Sequence, residues 1–120
     1  MAPSSGPTAQ IFGREDSADT RAAQRFFRDR RIGVHFVDLR RKPMAAGELR
    51  RFVERLGAPA LADTTSKAWT SNGFGFLRMD DMELTERLLA NQRLLRIPLV
   101  RSGNRFAAGR DEAAWKAMLG

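Results

Sequence analysis

A chain of 120 residues, 42% of them hydrophobic and 29% charged, is long enough for one domain with its own core and too short for two independent ones. It has no cysteine and one histidine, which excludes disulfides, thiolate zinc sites, thiol catalysis and histidine-based metal sites. No apolar run approaches the ~18–20 residues of a membrane-spanning helix, and the N-terminus lacks the pattern of a secretory signal, so we expect a cytoplasmic protein.

The formal net charge of +7 is unevenly distributed along the chain. Residues 1–60 hold twelve Lys and Arg against seven Asp and Glu, whereas residues 61–120 hold nine against seven. Most of the excess is arginine, in residues 21–31 and 40–42. A basic surface of this kind attracts nucleic acid, an acidic protein surface or a small oxyanion, but it is also typical of a solvated arginine-rich face without a partner.

The first third of the chain predicts a strand, a helix and a second strand. Residues 1–8 have the composition of a disordered tail. A strand over residues 10–13 precedes a polar turn, a helix over 18–30 with Ser17 near its first turn, and a strand over 32–39. Such a unit favours parallel pairing of its strands. The start of its helix presents unpaired N–H groups and a positive dipole end, which can lower the pKa of a thiol or hold an anion.

The remaining two thirds alternate helical periodicity with one hairpin. The predicted elements are a helix over 45–56 that stops at Gly57, a helical or irregular stretch over 61–69, a turn over 71–75, a helix over 83–91, a hairpin of residues 98–101 and 105–108, and a helix over 111–119 with Ala114, Trp115, Met118 and Leu119 inward. This order is that of an α/β thioredoxin-like fold, a four-stranded mixed sheet flanked by helices with an inserted helical segment. We expect one such domain over residues 9–120.

Several short segments follow one another in an order that is typical of a known family. They are Phe12, Ser17 and Arg21 around the first loop, Val37–Leu39, Glu48–Leu49, Trp69, residues 83–91 with Leu94–Leu95 and 98–100, and Gly109–Arg110. Together they span about residues 10–119 and resemble the arsenate reductase-like proteins with a thioredoxin fold, which include the Spx-type regulators of RNA polymerase.

The positions that carry the chemistry of that family are changed in this sequence. The resemblance implies a cysteine that attacks arsenate at the position of Ser17, with arginines that hold the oxyanion. Thr65 and Ile97 stand where two of those arginines are expected; Arg110 remains, and Arg96 lies one place off register. A hydroxyl ionises several pH units above a thiol and attacks poorly without a base, so we expect no reductase activity.

A proline at residue 98 matches one that follows a cis peptide bond in thioredoxin-like folds. The resemblance therefore predicts a cis Ile97–Pro98 bond that faces the Ser17 loop. It gives no confident catalytic residue, with Ser17 the one candidate, and no metal ligand. The candidate ligand- or anion-binding residues are Ser17, Ala18, Arg21, Arg96, Pro98 and Arg110.

Ser17 has three interpretations: a plain helix N-cap, a ligand contact, or a catalytic hydroxyl. Serine is among the preferred N-caps, and such a cap stabilises a helix by about 0.5–2 kcal/mol. A serine can also donate a hydrogen bond to the thiolate of another molecule, as it does in serine-type glutathione transferases.

Two function classes follow, and a third ranks below them. The first is a cysteine-free binding or regulatory module, with RNA polymerase as the partner that the Spx resemblance implies and with regulation independent of disulfides. The alternative is an enzyme that binds glutathione or an oxyanion at Ser17. Direct DNA binding ranks last because no nucleic-acid motif occurs, and the arginines of the first helix interleave with Asp29 and core residues.

Other conspicuous residues are interpreted as structural. They are His35 on a sheet face or edge, Trp69 and Trp115 in the core or a groove, Asp80 and Asp81 at a helix start, and Phe74 and Phe76, which could instead form a contact loop.

Overall fold

The computed structural model describes residues 8–72 and 78–119. Contacts group the chain into two compact units, one from residues 1–42 with 97–120 and the other from residues 43–96. The first unit contains the sheet, and the second is the predicted helical segment inserted in sequence between the second and third strands. Phe74, Phe76 and most of the predicted turn over 71–75 lie outside the described residues. The single domain over residues 9–120 stays a prediction.

The sheet has four strands in the order β2-β1-β3-β4. The strands are β1 Thr8–Gly13, β2 Gly33–Asp38, β3 Leu99–Ser102 and β4 Arg105–Ala108. β1 pairs in parallel with β2 and antiparallel with β3, which pairs antiparallel with β4, so the predicted mixed sheet is confirmed.

Strand β1 begins at Thr8, one residue inside the predicted tail. Thr8 lies opposite Gly33 in the parallel register, and its carbonyl oxygen accepts a hydrogen bond from Ser102 Oγ at 2.8 Å. The parallel pairing with β2 and the side-chain hydrogen bond from Ser102 therefore include Thr8 in β1.

Two helices pack against this sheet within the first unit, α1 Ala18–Asp29 and α6 Glu112–Ala117. Phe26 of α1 packs against Trp115 of α6, with ring centroids 5.5 Å apart. The core cluster consists of Ala9, Ile11, Ala23, Phe26, Phe27, Val100, Ala107, Trp115 and Met118. The prediction that Leu119 points inward is wrong: α6 ends at Ala117, and Leu119, beyond the helical face, is 39% exposed.

The second unit consists of helices and one 3-10 turn in its described part. They are α2 Ala46–Leu56, α3 Ala58–Leu61, α4 Lys67–Ser71, α5 Asp81–Ala90 and the turn Gln92–Leu94. Gly57 ends α2 as predicted, at a φ of 84° that favours glycine. Asp80 caps α5, as its side chain accepts from the Glu83 N–H at 2.8 Å, which confirms its predicted place at the helix start.

None of the helices in residues 8–72 and 78–119 combines the length and the apolar character needed to cross a membrane.

Candidate functional site

Ser17 caps helix α1 at the end of the loop that follows β1. Its backbone is extended, with φ −90° and ψ 122°, and its Oγ accepts a hydrogen bond from the Thr20 N–H at 3.1 Å. The Ser17 N–H donates to the Arg14 carbonyl oxygen at 3.0 Å, which closes the loop. Ser17 is therefore the N-cap of α1, and its Oγ has a hydrogen-bond partner inside the chain.

The loop between β1 and α1 is tight because Gly13 and Thr20, at its two ends, lie in close contact. Thr20 is fully buried, and its Oγ1 lies 3.4 Å from the Arg14 N–H. A Cβ atom added to Gly13 would come within 2.7 Å of Thr20 Cγ2 and closer still to Oγ1. Only glycine fits at the end of β1, and this close approach fixes the direction in which the chain enters α1.

Arg21, a predicted anion-binding residue, turns back toward the loop. Its Nη1 donates to the Glu15 carbonyl oxygen at 2.7 Å. The side chain remains exposed, as does the neighbouring predicted residue Ala18. Arg21 thus holds the loop that precedes Ser17 while it keeps its charge at the surface.

A chain of ion pairs connects the same loop to the end of β2. Asp16 lies between Arg14, at 3.2 Å, and Arg40, at 3.8 Å, and Arg40 also lies 3.5 Å from Asp38 Oδ2. Asp38 Oδ1 accepts from the Arg40 backbone N–H at 3.0 Å. This backbone hydrogen bond outweighs desolvation and, with the Arg40 guanidinium, holds the pKa of Asp38 below its ordinary value.

Pro98 lies at the start of β3 beside the end of β1. The antiparallel register pairs Phe12 with Leu99, so the next position along each strand brings Pro98 to Gly13. The predicted cis Ile97–Pro98 bond is confirmed, and Pro98 is buried. Its carbonyl oxygen accepts from the Gly109 N–H at 2.8 Å, which places Gly109 and Arg110 next to this strand end.

Arg110 is the predicted oxyanion ligand that the sequence keeps in register, and two carboxylates surround it. Glu112 Oε2 accepts from Arg110 Nε at 3.1 Å and from Nη2 at 2.9 Å. Asp19, in the first turn of α1, lies 3.7 Å from Nη1. The hydrogen bond and charge of Glu112, and more weakly those of Asp19, raise the pKa of Arg110 above its ordinary value. An added oxyanion would have to compete with both carboxylates for this guanidinium.

The structure therefore gathers Ser17, Pro98 and Arg110 around the start of α1 in the first unit. Arg96 belongs to the second unit, where its N–H donates to the Leu61 carbonyl oxygen at 2.7 Å. Thr65, where the resemblance implies an arginine, donates from Oγ1 to Asp63 Oδ1 at 2.6 Å.

The two carboxylates beside Arg110, those of Glu112 and Asp19, are not among the predicted site residues. Glu112 stands two residues beyond Arg110, a spacing that could have suggested a local pair at the helix start. Asp19 is 91 positions away, and no local signal in the sequence joins it to Arg110.

The arrangement of the α1 arginines also differs from its sequence interpretation. Arg21, Arg25 and Arg28 are all exposed and lie on one face of the helix, whereas Asp29 stands to one side of them. The expectation that core residues interrupt these arginines is wrong, because positions four and three apart share a helix face.

No group of three or more His, Asp or Glu side chains in residues 8–72 and 78–119 is arranged to hold a metal ion.

Comparison with known proteins identifies relatives across nearly the whole chain. A sequence model of the ArsC family matches residues 12–118. No curated protein has a significantly similar sequence.

Solved structures share the fold at low sequence identity. The YffB protein superposes with a TM-score of 0.85 at 18% identity, over 94% of this chain and 100% of its own. The arsenate reductase from Vibrio cholerae gives 0.81 at 16% identity, over 92% and 98%. An arsenate reductase (ArsC) related protein from Brucella melitensis gives 0.67 at 20% identity, over 97% of both chains.

Proposed function

The chain belongs to the ArsC family, and from that premise we propose that it acts by binding a protein partner and not by reducing arsenate. The observation that carries the proposal is the Ser17 Oγ, which accepts the Thr20 N–H where the resemblance places a nucleophilic cysteine. With no cysteine in 120 residues, the chain has no thiol with which to attack arsenic.

The environment of Arg110 supports the same proposal. A guanidinium that holds a substrate oxyanion uses its N–H donors, and those on Arg110 Nε and Nη2 already bind Glu112 while Asp19 lies 3.7 Å from Nη1. An oxyanion at this half-exposed guanidinium would therefore compete with two carboxylates.

The proposed partner is an anionic surface of a cytoplasmic protein, with RNA polymerase as the named candidate. Support comes from the net charge of +7 and from the exposed arginines of α1, which favour association with acidic surfaces. Because the chain has no thiol, its binding is independent of disulfide formation.

Affinity capture from native cytosol at low salt tests this proposal. The immobilised chain is compared with lysozyme, a control protein of similar size and basic character, and retained proteins are quantified by mass spectrometry. We expect one protein to be enriched over the lysozyme control. Enrichment of RNA polymerase subunits would support the named partner. Enrichment of a different protein would replace RNA polymerase as the candidate. If no protein is enriched on this chain, the binding function is contradicted.

A second candidate function is glutathione or oxyanion binding at the start of α1. It is favoured by one observation: Ser17 uses Oγ as an acceptor in the cap, which leaves its O–H hydrogen to donate, and the residue is half-buried and not closed off. NMR titration with glutathione, phosphate, sulfate and arsenate distinguishes the two functions. Saturable shifts at residues 17–21 would support the second candidate, whereas unchanged spectra would leave only the first.

A further inference from the structure

Three arginines form a straight stripe along the outer face of α1. Arg21, Arg25 and Arg28 follow one another at spacings of four and three residues. At 3.6 residues per turn they fall within about 60° of one another and span about 10 Å of the helix axis. The opposite face carries Phe26 and Phe27, which are buried in the core. We name Arg21, Arg25 and Arg28 the arginine stripe.

The stripe keeps its charge available to a partner. Among the described residues, no carboxylate is paired with Arg21, Arg25 or Arg28, and all three are exposed. Arg21 donates one N–H to the Glu15 carbonyl oxygen, which orients its guanidinium and leaves its charge uncompensated. Arg30 is different, because it stacks on Phe26 at 3.7 Å and lies outside the stripe.

Packing against the core fixes helix α1, which carries the arginine stripe. Phe26 and Phe27 contact each other edge to face at 5.0 Å, and both contact the buried Trp115 of α6. A helix fixed along its buried face presents the Cα atoms of its outer residues at constant spacing, so little backbone freedom is lost when a partner binds.

Resting on the proposed function, we propose that the arginine stripe docks an acidic helix of the protein partner, one with carboxylates on one face at the same spacings of three and four residues. Guanidinium groups pair with carboxylates through two parallel hydrogen bonds. A nucleic-acid duplex fits less well, since the exposed Asp29, four residues after Arg25, would meet its continuous phosphate charge.

Binding of two designed helical peptides measures this recognition. Both are alanine-rich and carry three glutamates; in the striped peptide these lie on one face at spacings of four and three, and in the dispersed peptide they are spread around the helix. A DNA duplex of about 15 base pairs serves as the third probe. Fluorescence anisotropy at low salt gives the affinity of each.

Two variants of equal charge separate the stripe from general basicity. The stripe variant is Arg21→Gln/Arg25→Gln/Arg28→Gln, and the matched control is Arg51→Gln/Arg93→Gln/Arg105→Gln, three exposed arginines elsewhere. Urea unfolding first checks that both variants fold. We expect the affinity of the striped peptide for the stripe variant to be about tenfold lower than its affinity for the wild type. Its affinity for the control variant should equal its affinity for the wild type.

Three outcomes would overturn the inference: equal weakening in both variants, equal binding of the striped and dispersed peptides, or tighter binding of the duplex than of the striped peptide. Its failure is distinguishable from that of the proposed function. If the wild type and the stripe variant capture a cytosolic partner equally well, the proposed binding function is supported and the role of the arginine stripe is excluded. If no partner is captured at all, the proposed function itself is excluded.

Discussion

Ser17 and Arg110 both stand at positions where the family resemblance implies chemistry, and both are engaged within the chain. The Ser17 oxygen accepts the Thr20 N–H, and the Arg110 guanidinium binds Glu112 and lies near Asp19. Ser17 is thus a helix cap, and Arg110 belongs to an ion-pair cluster at the start of α1.

Replacing Ser17 with alanine removes the cap of α1. We expect Ser17→Ala to lower the free energy of unfolding by about 0.5–2 kcal/mol, because the Thr20 N–H loses its partner. Urea denaturation followed by circular dichroism measures the change. Ser17→Asn, which can still accept this hydrogen bond, is the control and should retain most of the stability; an Ala variant as stable as the wild type would show that the cap contributes nothing.

Asp38 makes stability depend on pH in the acid range. Its pKa is lowered below 3.8 in the folded chain, chiefly by the Arg40 backbone N–H, so the ionised group stabilises the fold above that value. This contribution is lost as the pH falls through the folded-state pKa. The stability difference between wild type and Asp38→Asn should therefore shrink as urea unfolding is repeated from about pH 6 to about pH 2.5.

Thr64→Ala, a change at an exposed residue that does not titrate, is the control for this series and should keep the pH profile of the wild type. A constant difference between wild type and Asp38→Asn over the whole pH range would contradict the assignment.

At the scale of elements, the end of β1 and the start of α1 are fitted to each other through Gly13 and Thr20. Alternating and helical apolar patterns predicted the strands and helices, because each buries one face. Their ends were less predictable. Thr8 joins β1 through its pairing with β2 and a hydrogen bond from the Ser102 side chain, and Leu119 is exposed because α6 stops early.

Gly13→Ala tests this fit. The new methyl group would clash with the side chain of Thr20, which is fully buried and cannot move aside, so we expect a loss of about 1–3 kcal/mol in the free energy of unfolding. In a Thr20→Ala background the two closest atoms, Oγ1 and Cγ2, are absent, and the same change should cost less. A cost that is identical in both backgrounds, measured as a double-mutant cycle, would rule out the contact as its cause.

At the scale of the whole molecule, the fold was predictable from sequence and the state of the site was not. The mixed sheet, the inserted helical segment and the cis Ile97–Pro98 bond followed from the order of elements and the family resemblance. The pairing of Arg110 with Asp19 depends on tertiary contact between distant parts of the chain. The exposed stripe of Arg21, Arg25 and Arg28 could have been predicted from the sequence, because residues at spacings of four and three share a helix face.

The most direct test of the central claim is an arsenate reduction assay in the presence of glutathione and a glutaredoxin. We expect the wild-type chain to produce no arsenite above the protein-free reaction, because it has no thiol to attack arsenate and a serine stands at the position of the nucleophile. Ser66→Ala, which removes the cap of α4, serves as the folding control. The prediction would be contradicted if the wild type formed arsenite, Ser17→Ala abolished this activity and Ser66→Ala preserved it.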